Sequence, residues 1–384
     1  MTATLNFFPV GNGDMTLIEF DNGQTLLIDC NIRQAADDEN DGTLDVASEL
    51  RKRLKRDDQG RLYVNAKLLS HPDQDHCGGL RNHFHLGSPE TWSAKDDKIL
   101  INEMWSSPIV FRRASRNHKL VADAQAWATE ARRRVQYFRD YGIAAAGNRL
   151  KILGEDENGK TDDLHGIVVR IDEWITAIDA GPVGSFQALL LAPLPIAADE
   201  DEEEALAKNR SSVVLQFRLT GDGVPDAGRY LTGGDAEVGV WSRLWRKHGP
   251  GNAQALTYDL LLSPHHCSWH SLSEDSWSQL GEDAQVDPDA RAALAQTRDG
   301  AVVISSSKPV VDDDSDPPCI RAKREYVGIV DGQADRFYCV GDTPDEVLEF
   351  EFGSLGPQKK RRGLAGVAAA LGVGATSRTP RDHG

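Results

Sequence analysis

Leu68-Leu69-Ser70-His71-Pro72-Asp73-Gln74-Asp75-His76-Cys77-Gly78-Gly79 places four side chains able to hold a metal ion within six residues, directly after an apolar run. A loop leaving a strand end can aim alternate side chains into one small volume. His71, Asp73 and Asp75 alternate, and His76 turns inward as the backbone bends towards a helix. Gly78 and Gly79 suit a tight turn where backbone passes close to backbone. A polar helix-capping loop containing two histidines is the plainer alternative. Against it stand two further clusters, Leu231-Thr232-Gly233-Gly234-Asp235 and Leu262-Ser263-Pro264-His265-His266, each also following an apolar run. Ligands from three strand ends converge only if the strands lie side by side, as when an open sheet builds its site along one edge.

The surrounding sequence supplies such strands. Residues 4–10, 15–20 and 24–29 are short β-type runs, and Asp21-Asn22-Gly23 between the last two is a hairpin signal. An acidic loop at 35–42 precedes an expected helix near 44–56 and a strand at 65–70. Residues 82–162 read as an insertion. Its centre, about 115–141, carries Leu120, Ala124, Trp127, Ala131, Val135 and Phe138 at helical spacing. Strands are expected again at 166–172, 186–192, 212–219, 228–232, 258–263 and 301–306, with closing strands within 336–352. Asp199-Glu200-Asp201-Glu202-Glu203-Glu204 reads as a solvated acidic loop. The domain is expected over 1–356, followed by a flexible basic and Ala/Gly-rich tail at 357–384 that begins with Lys359-Lys360-Arg361-Arg362.

Composition narrows the class. The chain has 384 residues, 40% of them apolar and 27% charged, which is ordinary for a globular protein. Its five cysteines are odd in number and lack CxxC spacing, favouring a reducing compartment over a disulfide framework. No signal-peptide pattern opens the sequence and no apolar stretch is long enough to span a membrane, so a cytoplasmic location is expected. The net charge of −17 disfavours indiscriminate nucleic-acid binding while leaving room for a local basic groove.

The ordered trio of clusters resembles the metallo-β-lactamase superfamily, whose hallmark is HxHxDH followed by a bridging Asp and a later His. More closely it is similar to the hydrolase domain of ComEC-type competence proteins, which act on DNA during uptake. That group's opening is matched by Val10-Gly11-Asn12-Gly13-Asp14 and Leu27-Ile28-Asp29-Cys30, and its SHxDxDHxGG by Ser70 to Gly79. Asn209-Arg210-Ser211-Ser212, Tyr230-Leu231-Thr232-Gly233-Gly234-Asp235 and Pro264-His265-His266-Cys267-Ser268 match its later motifs. Cys30 and Cys267 stand where that group has glycine. No ligand occurs near Leu191-Ala192-Pro193, where the superfamily has its middle His, and Asp316-Pro317-Pro318 replaces a late His-Pro motif.

The resemblance implies an α/β fold, a four-layer αββα metallo-β-lactamase sandwich with a helical insertion. It implies one metal site of Asp75, His76, Asp235 and His265, and another of His71, Asp73 and the shared Asp235. Two imidazoles with two carboxylates suit Zn²⁺ or Mn²⁺, and the oxygen-richer set leans to Mn²⁺ or Mg²⁺; one ion or two would fit. The implied activity is metal-dependent hydrolysis, as a phosphodiesterase or nuclease acting on DNA or a nucleotide, with hydroxide supplied by metal-activated water. Asp73 and Asp75 would serve the catalytic metals. His266 or His270 could protonate the leaving group. Asn209 and Ser212 would orient the substrate or the Asp235 loop, and Asp29 the ligand loop. Arg112, Arg113, Arg116, Lys119, Arg132, Arg133, Arg134 and Arg139 could form a phosphate-binding face for single-stranded DNA, or a solvated or acid-paired helix surface. Two rival readings remain: a hydrolase of cyclic nucleotides, esters or lactones, and a non-catalytic, metal-bound interaction subunit of a larger assembly.

Overall fold

Asp21, Asn22 and Gly23 turn the chain between the strands Thr16–Glu19 and Thr25–Ile28, which pair antiparallel with Thr16 opposite Ile28. In this computed structural model, residues 2–34, 43–108, 119–142, 144–155, 159–182, 184, 186–195, 209–249 and 251–360 are described. The hairpin lies in the larger of two mixed sheets. Its spatial order is Val168–Val169, Arg149–Leu153, Ile99–Ser106, Leu62–Leu69, Thr25–Ile28, Thr16–Glu19, Thr4–Phe7, Leu348–Gly353, Gly356–Lys359. The smaller sheet runs Trp174–Ile175, Phe186–Ala192, Val214–Gly221, Val224–Thr232, Tyr258–Leu262, Thr297–Ser305, Phe337–Cys339. The chain is therefore a mixed α/β structure.

Three apolar clusters explain how these elements stack. Leu5, Phe7, Ile18, Ile28 and Leu68 of the larger sheet share one cluster with Phe217, Leu219, Tyr230, Leu260 and Leu262 of the smaller. The alternate residues Leu17, Leu27, Val64 and Leu69 pack instead with Val46, Ala47 and Leu50 of the helix Val46–Arg53, and with Ala124, Trp127, Ala131 and Val135 of the helix Ala122–Tyr141. On the smaller sheet, Leu189, Leu191, Leu231, Leu261 and Val303 pack with Trp241 and Leu244 of Val238–His248, Ala290 and Ala293 of Pro288–Leu294, and Ala322 and Tyr326 of Ile320–Ile329. The period-two alternation of each strand sends successive side chains to opposite faces. Each fully buried Leu or Phe contributes about 1.5–3 kcal/mol.

Both sheets have parallel centres. Thr25–Ile28, Leu62–Leu69, Ile99–Ser106 and Arg149–Leu153 run parallel, as do Val224–Thr232, Tyr258–Leu262, Thr297–Ser305 and Phe337–Cys339. Parallel neighbours end on the same side, which brings Asp29, Ser70, Asp235, His265 and Ser306 to one edge.

Two expected boundaries change. The segment 82–162 is woven into the larger sheet: Ile99–Ser106 and Arg149–Leu153 extend it, with Ala122–Tyr141 crossing between them. Asn102 and Glu103 break the apolar run that would have marked the first strand, because Glu103 is buried against Lys151. Residues 357–360, expected to open the tail, instead continue the sheet: Gly356–Lys359 pairs with Leu348–Gly353 and the Lys360 amide donates to Glu349 O. The acidic runs at 35–42 and 199–204, Arg112, Arg113, Arg116 and the tail beyond 360 lie outside the described residues. Among the described residues, no helix is long and apolar enough to cross a membrane.

Candidate metal centre

The strand Leu62–Leu69 ends at Ser70, and its backbone is locked there from two sides. Asp29, which ends the neighbouring strand, accepts from the Ser70 amide at 2.7 Å and from Ser70 Oγ at 2.6 Å. The Val213 amide donates to Ser70 O, tying in the strand Val214–Gly221 of the other sheet. His71 follows, fully buried, and Asp73 Oδ1 caps the short helix Gln74–Cys77 through the Gln74 amide at 2.8 Å. The first turn of that helix presents Asp75 and His76. Two glycines permit the close approaches. A Cβ on Gly79, at φ +82°, would lie 2.7 Å from Ile32 O; one on Gly234, at φ +49°, would lie 2.6 Å from Ser70 Oγ.

Asp235 stands between two pairs of imidazoles. Its Oδ1 lies 2.9 Å from His76 Nε2 and 3.4 Å from His266 Nε2. Its Oδ2 lies 3.4 Å from His71 Nε2 and 3.6 Å from His265 Nε2. His76 Nε2 and His266 Nε2 are 3.2 Å apart, and Asp75 Oδ2 is 3.3 Å from His266 Nε2. Bonds of about 2.0–2.1 Å to a tetrahedral ion separate neighbouring ligand atoms by roughly 3.3 Å.

The hydrogen bonds behind the rings decide which nitrogen carries the proton. His76 Nδ1 lies 2.8 Å from the Asp29 carboxylate and His266 Nδ1 lies 3.1 Å from Ser306 O; both acceptors can only accept, so each Nδ1 donates. Ser70 Oγ gives its own proton to Asp29, so at 3.2 Å it accepts from His71 Nδ1. All three rings thus point unprotonated Nε2 atoms, when neutral, at one carboxylate. Among the described residues, His71 Nε2, Asp235 Oδ1 and Asp14 Oδ1 are buried without a hydrogen-bond partner. Asp14, His76, Asp235 and His266 form a buried group whose ligand atoms all lie within 4.8 Å of one another. Lone pairs packed this closely call for a cation, and these residues fit one.

Without an ion the charges compensate each other. Burial pushes the His76 pKa down, but Asp235 and Asp29 outweigh it and raise it well above the ordinary value. His266 behaves likewise: burial opposes, and Asp235, Asp14 and Asp75 raise it to about 10. Burial of Asp75 is overcome by the hydrogen bond with His266 and the charge of His76, which bring its carboxyl down to about 2. Asp235, despite burial, is held well below the carboxylate range by His76, His266 and His71. His265 shifts the other way, lowered by burial against the pull of Asp235.

The structure brings His71, Asp75, His76, Asp235 and His265 close together, but it places His266 where His265 was expected. His266, expected as a leaving-group acid, is 1% exposed and sits with His76 and Asp75; His265 sits with His71. His265, His266 and Cys267 adopt φ of 52°, 53° and 67°, and this left-handed run turns His266 inward. Such conformations cost about 1–3 kcal/mol each and cluster at functional sites. Asp73 is engaged as a helix cap, and the position expected for it opposite His71 is taken by His265. Asn209 Nδ2 donates to Glu237 Oε1 at 2.7 Å, bracing the Asp235 loop; Ser212 is fully buried beside Val213.

Among the described residues the arginine face is divided: Lys119, Arg132 and Arg139 are exposed, Arg133 is half-buried and Arg134 is buried. Arg134 is 1% exposed, pairs with Glu130 at 2.8 Å and donates to Ile101 O and Arg149 O at 2.9 Å, pinning the crossover helix to both strands it joins. Arg133 pairs with Glu130 and bonds Asn148, and Arg139 pairs with Asp163. Of the three consecutive arginines only Arg132 is exposed. Burial of the helix face through Ala131 and Val135 carries Arg134 inward with it. Asp14, at the end of Val10-Gly11-Asn12-Gly13-Asp14, joins the buried group although the ligand motifs do not include it. In comparisons with known proteins, no protein-family model and no curated protein matches the chain.

Proposed function

We propose that this chain is a divalent-metal-dependent hydrolase of phosphodiesters, in DNA or a nucleotide, built on a four-layer αββα frame like that of the metallo-β-lactamases. The order of the three apolar clusters, with helices outside two facing sheets, supports the frame. One observation carries the site: His71, His76 and His266 each commit Nδ1 to an acceptor and turn Nε2 towards Asp235. The resemblance of the motifs to competence-protein hydrolase domains supports the substrate class.

Asp14, His76, Asp235 and His266 would hold one ion, a donor set suited to Zn²⁺ or Mn²⁺. His71 and His265 flank the second Asp235 oxygen and would be the residues available to hold a further ion. A divalent ion there supplies Lewis acidity, polarising a phosphoryl oxygen and lowering the pKa of water from 15.7 to roughly 7. Asp29 and Ser306 O fix the ring orientations, so that the donors need not reorganise when substrate arrives. Asp75, whose side chain is 35% exposed, opens the centre to solvent beside His266. With His266 committed to the centre, His270 is the exposed imidazole of the same loop and lies 4.0 Å from Asp316; it can donate to the leaving oxygen. The internal use of Arg133 and Arg134 favours a nucleotide-sized phosphodiester over a long strand held along that helix.

The test is elemental analysis of dialysed protein after Zn²⁺ or Mn²⁺ addition, with hydrolysis of bis(p-nitrophenyl) phosphate and of single-stranded DNA followed in parallel. Metal uptake with metal-dependent cleavage, both lost in His76→Ala and Asp235→Asn, is expected. Failure to bind either ion would refute the reading.

A further inference from the structure

Arg33 is an outlier among the described arginines. It is exposed, and among the described residues it makes no hydrogen bond, ion pair or ring contact, although the chain carries a net charge of −17. Its position is fixed by its neighbours. Asn31 and Ile32 pair with Gly78, and Asn31 Nδ2 donates to Val10 O at 3.3 Å. The guanidinium reaches the Gly11 turn, where a Cβ on Gly11 would lie 3.7 Å from Arg33 NH1.

Lys308 meets the other side of that turn. Its amide donates to Asn12 Oδ1 at 3.0 Å, its side chain is exposed, and its Nζ has no partner among the described residues. Two residues earlier, Ser306 accepts from His266 Nδ1 through its carbonyl and donates through Oγ to Gly13 O at 2.6 Å. One short turn therefore carries Asp14 and is flanked by the Arg33 guanidinium at Gly11 and by Lys308, whose backbone is held at Asn12 and whose exposed ammonium has no partner among the described residues.

We propose that Arg33 and Lys308 form an anion-holding rim, which selects a substrate bearing a second negative group beside the scissile phosphodiester. The proposal rests on the hydrolase reading. Asp14, Asp75, Asp235 and Glu237 largely offset the charge of a bound ion, so exposed cations at the rim would supply the attraction for a ligand's additional negative group. A terminal nucleotide phosphate has that chemistry; a neutral ester or lactone has not.

Two probes separate the cases: thymidylyl-thymidine and its 5′-phosphorylated form, titrated calorimetrically into the Mn²⁺-loaded protein. Solvent-screened charge pairs typically change affinity by about two- to fivefold each, so both together should favour the phosphorylated dinucleotide by roughly tenfold. Arg33→Gln/Lys308→Gln should bind both probes alike. Arg33→Lys/Lys308→Arg and the remote Lys95→Gln should keep the preference. Equal binding of the two probes by the parent, no binding of either, or an unchanged preference in the double glutamine variant would overturn the rim. Lost preference without cleavage of either dinucleotide by the parent would uphold the rim and refute the hydrolase reading.

Discussion

His76 and His266, 190 positions apart in the chain, hold their Nε2 atoms 3.2 Å from each other, with Asp235 Oδ1 2.9 Å from the first and 3.4 Å from the second. Neither ring can relieve the crowding by changing tautomer, because Asp29 and Ser306 O occupy the Nδ1 sides. The pair must either share protons with the surrounding carboxylates or share a cation with them.

The exchange of His265 and His266 is directly testable. His266→Ala should abolish uptake of the ion held with His76. His265→Ala should leave that ion and remove at most a second one at the His71 side. Elemental analysis of the two variants gives the stoichiometry; full metal content in His266→Ala would remove it from the ligand set.

Asp29 touches the centre only through His76 and Ser70, so its substitution isolates positioning from ligation. Asp29→Asn should weaken metal affinity about 10–100-fold, the usual effect of losing a partner that orients a ligand. Competition titration against a chelator measures it, and the pH dependence of affinity should change too, because the ring loses a charged acceptor.

The metal-free protein should have a distinctive stability profile. His76 and His266 have folded pKa values above their unfolded value near 6.5, so their contribution is full below pH 6.5 and is lost as pH rises, towards about 10 for His266. Asp75 is lowered to about 2, so its contribution is present above the unfolded value near 3.8 and is lost as pH falls through about 2. Thermal unfolding of chelator-treated protein should thus weaken from pH 6.5 to 10. Loading the ion should reverse that trend and release about two protons at pH 7, measurable by titration in buffers of different ionisation enthalpy.

Arg134→Ala should cost about 3–5 kcal/mol in urea unfolding, since it leaves Glu130 with one fewer buried partner and strands two strand carbonyls. Arg132→Gln should change stability by less than about 0.5 kcal/mol. Equal stabilities for the two variants would contradict the clamp.

By itself the sequence determined much of the architecture. Asp21-Asn22-Gly23 marked a hairpin, apolar alternation marked most strands, and the position of three ligand clusters after three strands marked the edge where they meet. Those features are local, and their signals are carried by neighbouring residues. Only the tertiary structure decided that His266 rather than His265 joins His76, because adjacent imidazoles are indistinguishable until the backbone turns left-handed through both. It likewise decided that Ile99–Ser106 is an internal strand, since Lys151 arrives from a distant strand to meet buried Glu103. Arg134 faced the strands instead of solvent for the same reason: its partners are carbonyls at 101 and 149, brought within reach only when the crossover helix packs onto the sheet.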